Sequence, residues 1–246
     1  TSRTQWTDWV AHSDDVYIEG FELFDGFTAI SERSQGLERL RLLRDDGKEE
    51  YVQADEPAYS MGLDVNSEHD TSWLRYSYTS MTTPATTYEL NVETGERRQL
   101  KQQPVIGYDS SKYTTERVWV EARDGTRVPV SLVYRNGFEK NGTGALFQYA
   151  YGSYGLSMDP GFNSAAVSLL DRGVVYAIAH IRGGQEMGRD WYDQGKLLNK
   201  KNTFTDFIDV TDALVKQGYA ASDRVAASGG SAGGLLMGAI ANMAPE

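Results

Sequence analysis

The chain has 246 residues, with 24 Lys plus Arg against 35 Asp plus Glu and a formal charge of −11, an acidity that opposes binding to nucleic acid or anionic membrane and favours cationic partners. It contains no cysteine, which excludes disulfides, zinc–thiolate sites and thiol nucleophiles. With 40% hydrophobic residues and no apolar run near the roughly 18–20 residues of a membrane span, it reads as one large globular domain or two smaller ones.

The first hundred residues read as short strands and turns. Val16–Phe24, Phe27–Arg33, Leu37–Leu43, Trp73–Ser80 and Thr86–Asn91 are rich in β-branched and aromatic residues, and Asp45-Asp46-Gly47 and Glu93-Thr94-Gly95 are hairpin turns. The two hairpins resemble each other, and their turn glycines stand about one propeller blade apart, roughly 40–50 residues. Two unrelated hairpins in a sandwich fit the same residues. Lys101–Thr115, polar and interrupted by Pro104, reads as a linker that divides the chain into residues 1–100 and 101–246.

After the linker the pattern changes. A hairpin (Glu116–Glu121, turn Asp124-Gly125, Arg127–Tyr134) leads to an apolar strand at Ala145–Tyr149, a helix over Asn163–Arg172 and a buried strand at Val174–Ala179. Strands alternating with helices imply crossovers and a mostly parallel sheet. Thr203–Gln217 is an amphipathic helix carrying Phe204, Phe207, Ile208, Leu214 and Val215, stopped by Gly218. Asp206, Asp209 and Asp212 read as a solvated stripe on it rather than a metal or acid–base cluster.

Arg224–Ala227 is a short strand that runs directly into Ser228-Gly229-Gly230-Ser231-Ala232-Gly233-Gly234 and then an apolar helix, Leu235–Asn242. Gly229–Gly233 is thus G-x-S-x-G in a strand–turn–helix setting, where side-chain-free neighbours let the turn tighten and stand the serine hydroxyl at a helix N-terminus. Ser231 is the candidate nucleophile, with the Ala232 N–H facing the oxyanion formed when it attacks a carbonyl. The competing reading is a glycine turn used for close packing. Neither G-x-G-x-x-G nor G-x-x-x-x-G-K-[ST] occurs, so nucleotide cradling is not expected.

Four motifs, Tyr149–Gly155 (Y-A-Y-G-S-Y-G), Ile181–Tyr192 (I-R-G-G-Q-E-M-G-R-D-W-Y), Asn199–Phe207 (N-K-K-N-T-F-T-D-F) and Gly229–Gly234 (G-G-S-A-G-G), stand in the order found in the prolyl oligopeptidase family of serine peptidases. The chain resembles the oligopeptidase B branch over essentially its whole length. The resemblance implies C-terminal blades of a β-propeller over residues 1–100 and the N-terminal half of an α/β-hydrolase catalytic domain over 101–246. It also implies Ser231 as nucleophile, the Ala232 N–H and the Tyr151 hydroxyl as oxyanion donors, and Asp159 as a carboxylate that holds a basic substrate residue. A second carboxylate of that branch lies two residues further on, where this sequence has Gly161, so strong selection for paired basic residues is not implied. Asp159 fits a turn before Pro160 equally well.

In this fold the triad runs Ser, Asp, His in chain order, yet His12, His69 and His180 all precede Ser231, and Ala232–Glu246 contains neither Asp nor His. His12 and His69 read as solvated, and His180 as a satisfied histidine at a strand end. The chain is expected to be a piece of a larger enzyme, inactive alone, its base supplied by downstream sequence or a second polypeptide, with unpaired strand edges or apolar surface exposed. No metal motif occurs and no cofactor is expected. Asn141-Gly142-Thr143 fits the glycosylation pattern but reads as a loop, and so does Arg182-Gly183-Gly184. The resemblance implies an acyl-enzyme oligopeptidase acting on short peptides after Arg or Lys, in the cytoplasm or, as in some relatives, the periplasm. Proline-specific, acylaminoacyl-peptidase or esterase activity, or a propeller-bearing interaction protein without catalysis, are the alternatives.

Overall fold

A computed structural model describes Ser2 to Pro245. Eight strands precede residue 103: β1 (Val16–Phe24), β2 (Phe27–Ser34), β3 (Leu37–Arg44), β4 (Glu49–Tyr51), β5 (Tyr59–Leu63), β6 (Trp73–Ser80), β7 (Thr86–Asn91) and β8 (Arg97–Gln102). They form two antiparallel four-stranded meanders, β1-β2-β3-β4 and β5-β6-β7-β8. This is the blade pattern rather than a pair of stray hairpins. The sheets share one apolar layer in which Phe27, Leu40 and Leu42 of the first meet Met61, Leu74 and Tyr76 of the second. Three strands, β4, β5 and β8, are absent from the sequence reading. Strand β4 is only Glu-Glu-Tyr, and every residue of β8 is exposed. An outermost strand packed on neither face carries no hydrophobic alternation to read.

The third sheet is built from β9 (Tyr113–Glu121), β10 (Arg127–Arg135), β11 (Ala145–Tyr149), β12 (Val174–Ala179) and β13 (Val225–Ser228), in the order β13-β11-β12-β10-β9. The hairpin strands β9 and β10 run antiparallel to their neighbours, while β11 is parallel to both β12 and β13. Helix α1 (Ser164–Leu170) buries Ala166 and Leu170 against one face with Val133 and Ile178. Helices α3 (Lys201–Lys216) and α4 (Ala232–Met243) cover the other face, where Phe207, Val210, Leu214 and Leu236 pack on Val130, Leu146 and Val175. The short helix α2 (Arg189–Asp193) adds Trp191 to that core.

The aspartate stripe on α3 needs correction. Asp206 is fully buried, because Thr203, Asp206, Phe207, Val210 and Leu214 share the buried face at helical spacing. It binds Arg182 through the backbone N–H (3.0 Å), Nε (2.9 Å) and Nη2 (2.5 Å), while Arg182 Nη1 reaches Asp124 at 2.7 Å. Asp209 takes Arg123. Removing one partner of a buried pair leaves an uncompensated charge, so Asp206→Ala is expected to destabilise by about 3–5 kcal/mol. Asp209→Ala, at a pair whose arginine is half exposed, costs about 1 kcal/mol or less. Urea denaturation of the two variants measures the contrast, and equal losses would contradict it.

Candidate active site

The carboxyl ends of β11 and β13 lie side by side, with Tyr149 paired to Ser228, and in open α/β sheets such strand ends are where ligands bind. Ser231 follows β13 at φ +54° and ψ −117°, a left-handed conformation rare for a residue with a side chain. Its side chain is exposed and makes no capping bond to α4. The turn is held by Gly233 N–H to Gly230 O (2.7 Å) and Gly234 N–H to Ser231 O (2.9 Å). Its glycines are required by space: a Cβ on Gly229 would lie 2.6 Å from the Gly233 carbonyl oxygen, and one on Gly233 would lie 3.1 Å from that of Ala150. A hydroxyl fixed on a strained turn, at the N-terminus of a twelve-residue helix whose first N–H groups have no intrahelical acceptors, is placed to attack a carbonyl and bind the resulting anion.

Tyr151 leaves the end of β11 beside this turn. The position a Gly233 Cβ would take is 3.7 Å from both Cα and Cδ2 of Tyr151, whose half-buried ring lies 6.5 Å from that of Tyr154. Tyr151 therefore adjoins the turn that carries Ser231 and Ala232. Asp159 is placed differently. Its carboxylate is engaged by Arg33 of β2, Nη1–Oδ1 2.5 Å and Nη2–Oδ2 3.1 Å, and that guanidinium also meets Glu19 at 3.0 Å and Glu38 at 3.3 Å. Burial alone would lower the Arg33 pKa, but its bond to Asp159 and the three carboxylates hold it above the ordinary value. The same loop is pinned to the blades where Phe162 N–H donates to Thr79 Oγ1 at 3.1 Å.

The histidines lie apart from Ser231 Oγ, which bonds none of them among the described residues. His12 and His69 are exposed beside Asp14 and Asp25. His180 is fully buried, its Nε2 2.7 Å from Ser131 Oγ and its Nδ1 4.0 Å from Glu186 Oε1. Burial pushes the His180 pKa well down and the Glu186 pKa up to about 7. Among the described residues no group of three or more His, Asp or Glu could hold a metal ion.

Arg33 was invisible in the sequence, its one local signal being the charged pair Glu32-Arg33 closing an apolar strand. Lys200 lies within the Asn199–Phe207 motif, whose sequence alone gives it no role. Its Nζ donates to Gly152 O (2.5 Å) and Ser153 Oγ (2.7 Å), directly after Tyr151.

A strained serine elbow on the third parallel strand of a sheet covered on both faces, docked on propeller blades, defines an α/β-hydrolase joined to a propeller. The family model for the N-terminal β-propeller domain of prolyl oligopeptidase matches residues 1–103, and that of the prolyl oligopeptidase family matches 160–246. The chain belongs to the prolyl oligopeptidase family. It is 72% identical to dipeptidyl aminopeptidase BI of Pseudoxanthomonas mexicana, with all of this chain and 34% of that relative covered. It is 42% identical to Protease 2 of Moraxella lacunata, over 96% of this chain and 34% of the relative. Oligopeptidase B from Trypanosoma brucei, in a closed form with covalently bound antipain, superposes with a TM-score of 0.87 at 40% identity, covering all of this chain and 37% of that structure. The chain spans about a third of the length of the curated relatives it matches.

Glu186 generates a pH prediction. Its folded pKa lies above the unfolded value of 4.5, so its contribution to stability is fully present below pH about 4.5 and is lost as pH rises through about 7. Glu186→Gln removes that dependence. The stability difference between variant and parent is expected to move in favour of the variant by about 3 kcal/mol from pH 4 to pH 8, read by chemical denaturation at both. No movement would show that the folded carboxyl titrates as the unfolded one does.

Proposed function

We propose that the protein carrying this chain is a serine oligopeptidase that hydrolyses short peptides through an acyl-enzyme. Ser231 Oγ attacks the scissile carbonyl carbon and its proton passes to a general base. The carbonyl oxygen, now negative, is held by the Ala232 N–H and the Tyr151 hydroxyl. The C–N bond breaks as the amine leaves with a proton, and water then cleaves the Ser231 ester. The observation that carries this reading is the backbone of Ser231, held at φ +54° with its side chain exposed and uncommitted.

The base and its orienting carboxylate are assigned to sequence outside these 246 residues, as is the pocket for the residue at the cleavage point. Residues 1–100 act as propeller blades over a catalytic part beginning near residue 101. A net charge of −11 and the oligopeptidase B likeness support cleavage after Arg or Lys, and the same likeness supports a cytoplasmic home. No helix among the described residues is long and apolar enough to cross a membrane.

A second reading, release of N-terminal dipeptides, is favoured by the name of the relative with 72% identity. An enzyme of that kind must bind a free α-ammonium group, so an acidic locality such as that of Asp159 serves either reading.

The test uses the full-length protein with a fluorophosphonate probe and chromogenic substrates ending in Arg or Pro, each with a free and a blocked N-terminus. Labelling is expected at Ser231, with faster release after Arg than after Pro. Ser231→Ala is expected to lose at least about 10⁴-fold in kcat. Absence of labelling would make the protein an interaction module, and faster cleavage after Pro would move it to the other branch. Activity confined to free N-termini selects the dipeptidyl reading. The 246-residue chain alone is expected to label very slowly or not at all.

A further inference from the structure

Lys200 occupies a place whose energetics call for a reason. It follows the short helical turn Leu197–Asn199, entered through Leu197 at φ +48°, and its backbone N–H bonds Leu197 O at 3.2 Å before α3 begins. The side chain is half buried, and burial lowers its pKa below the ordinary lysine value. Lys196, four residues earlier, sits against Asp193, whereas Lys200 has no carboxylate within 4 Å among the described residues. A desolvated ammonium without a counter-ion is costly. Two of its three donors are given to one target, the carbonyl of Gly152 and the hydroxyl of Ser153. Bonds from a charged donor are shorter and roughly twice as strong as neutral ones.

The target is the peptide just past Tyr151. Gly152 stands at φ +66°, and a Cβ there would come within 2.5 Å of Thr203 Cγ2 and 2.8 Å of Ile181 Cδ1. On a third side Gly183 packs so closely that a Cβ would overlap the Gly152 carbonyl oxygen. Against Gly152 itself Ile181, Thr203 and Gly183 make contacts of shape, and the bond from Gly183 O goes three residues further on, to the Gly155 N–H. Lys200 supplies the directional bonds, and it supplies them to the atoms that set where the chain turns after Tyr151.

Resting on the reading of Tyr151 as an oxyanion donor, we propose that Lys200 is a positioning residue for the reaction, holding the Gly152–Ser153 segment so that the Tyr151 hydroxyl meets the developing anion. It touches neither the substrate nor the reacting atoms, and acts through Tyr151 alone.

The experiment is a double-mutant cycle in the full-length protein: Tyr151→Phe, Lys200→Met and the pair, with kcat and KM measured separately on one chromogenic substrate. Misplacement of a catalytic group by about 1 Å costs up to about 10²-fold, so Lys200→Met is expected to lower kcat about ten- to hundredfold with KM changed less than about threefold. In the Tyr151→Phe background it is expected to lower kcat by no more than about twofold, since the hydroxyl it positions is gone. Ser153→Ala, which removes one of the two acceptors and leaves the lysine, gives a smaller loss that also vanishes in that background; it decides the matter if Lys200→Met fails to fold. Losses that multiply in the double variants, or a wild-type kcat for both Lys200→Met and Ser153→Ala, overturn the role of Lys200 while leaving Tyr151 standing. A Tyr151→Phe enzyme with unchanged kcat overturns the oxyanion reading itself, and this proposal with it.

Discussion

The backbone of Ser231 is the constraint from which the rest of the site follows. A residue with a side chain held in the left-handed region, at φ +54°, costs of order 1–3 kcal/mol and persists only where its surroundings over-determine it. Here Gly229 and Gly233 permit the turn to close against the Ala150 carbonyl, and the buried Leu236 of α4 anchors the helix in the core of the sheet. Relaxing the serine would therefore mean withdrawing α4 from β11. The strain is held by the same packing that stabilises the domain, which keeps the hydroxyl exposed and oriented without a bond of its own.

The loop that carries Tyr151 is fixed by a different device. Three segments far apart in the chain cross within van der Waals distance, and they can do so only because Gly152, Gly183 and Gly195 lack a Cβ. Their polar groups are satisfied internally: Gly155 N–H by Gly183 O, Gly183 N–H by Trp191 O, and the carbonyl of Arg182 by Thr203 Oγ1. The pairing of Arg182 with Asp206 ties the middle segment to α3. A buried ion pair is weak support for stability in itself, but this one adds a charged tie between that loop and α3.

What was legible in the sequence follows from the range of each interaction. The elbow could be read because its strain is relieved by glycines within two residues of Ser231. Strands β1, β6, β7, β11 and β12 were read with their observed bounds because alternation or an apolar run is local. Strand β8 was missed because its partner β7, rather than its own composition, makes it a strand. Asp206 reads as solvated because its arginine lies 24 residues earlier, and one of three aspartates spaced along an amphipathic helix gives no sign of a guanidinium beneath it. The contact between Arg33 and Asp159 spans 126 residues, and the charged pair Glu32-Arg33 gives no hint of the distant carboxylate.

That last contact changes what Asp159 can do. A carboxylate expected to receive a cation from substrate already holds one from the chain, and Arg33 in turn is shared with Glu19 and Glu38. Three carboxylates around one guanidinium leave the locality acidic, and burial with the nearby Asp159 charge raises the Glu38 pKa. Both oxygens of Asp159 are bonded to Arg33, so the carboxylate is committed within the chain. Because Arg33 belongs to a blade and Asp159 to the loop following Tyr151, this contact also joins the two parts of the chain. Whatever weakens the grip of Arg33 frees that carboxylate and loosens the blade from the loop in the same step.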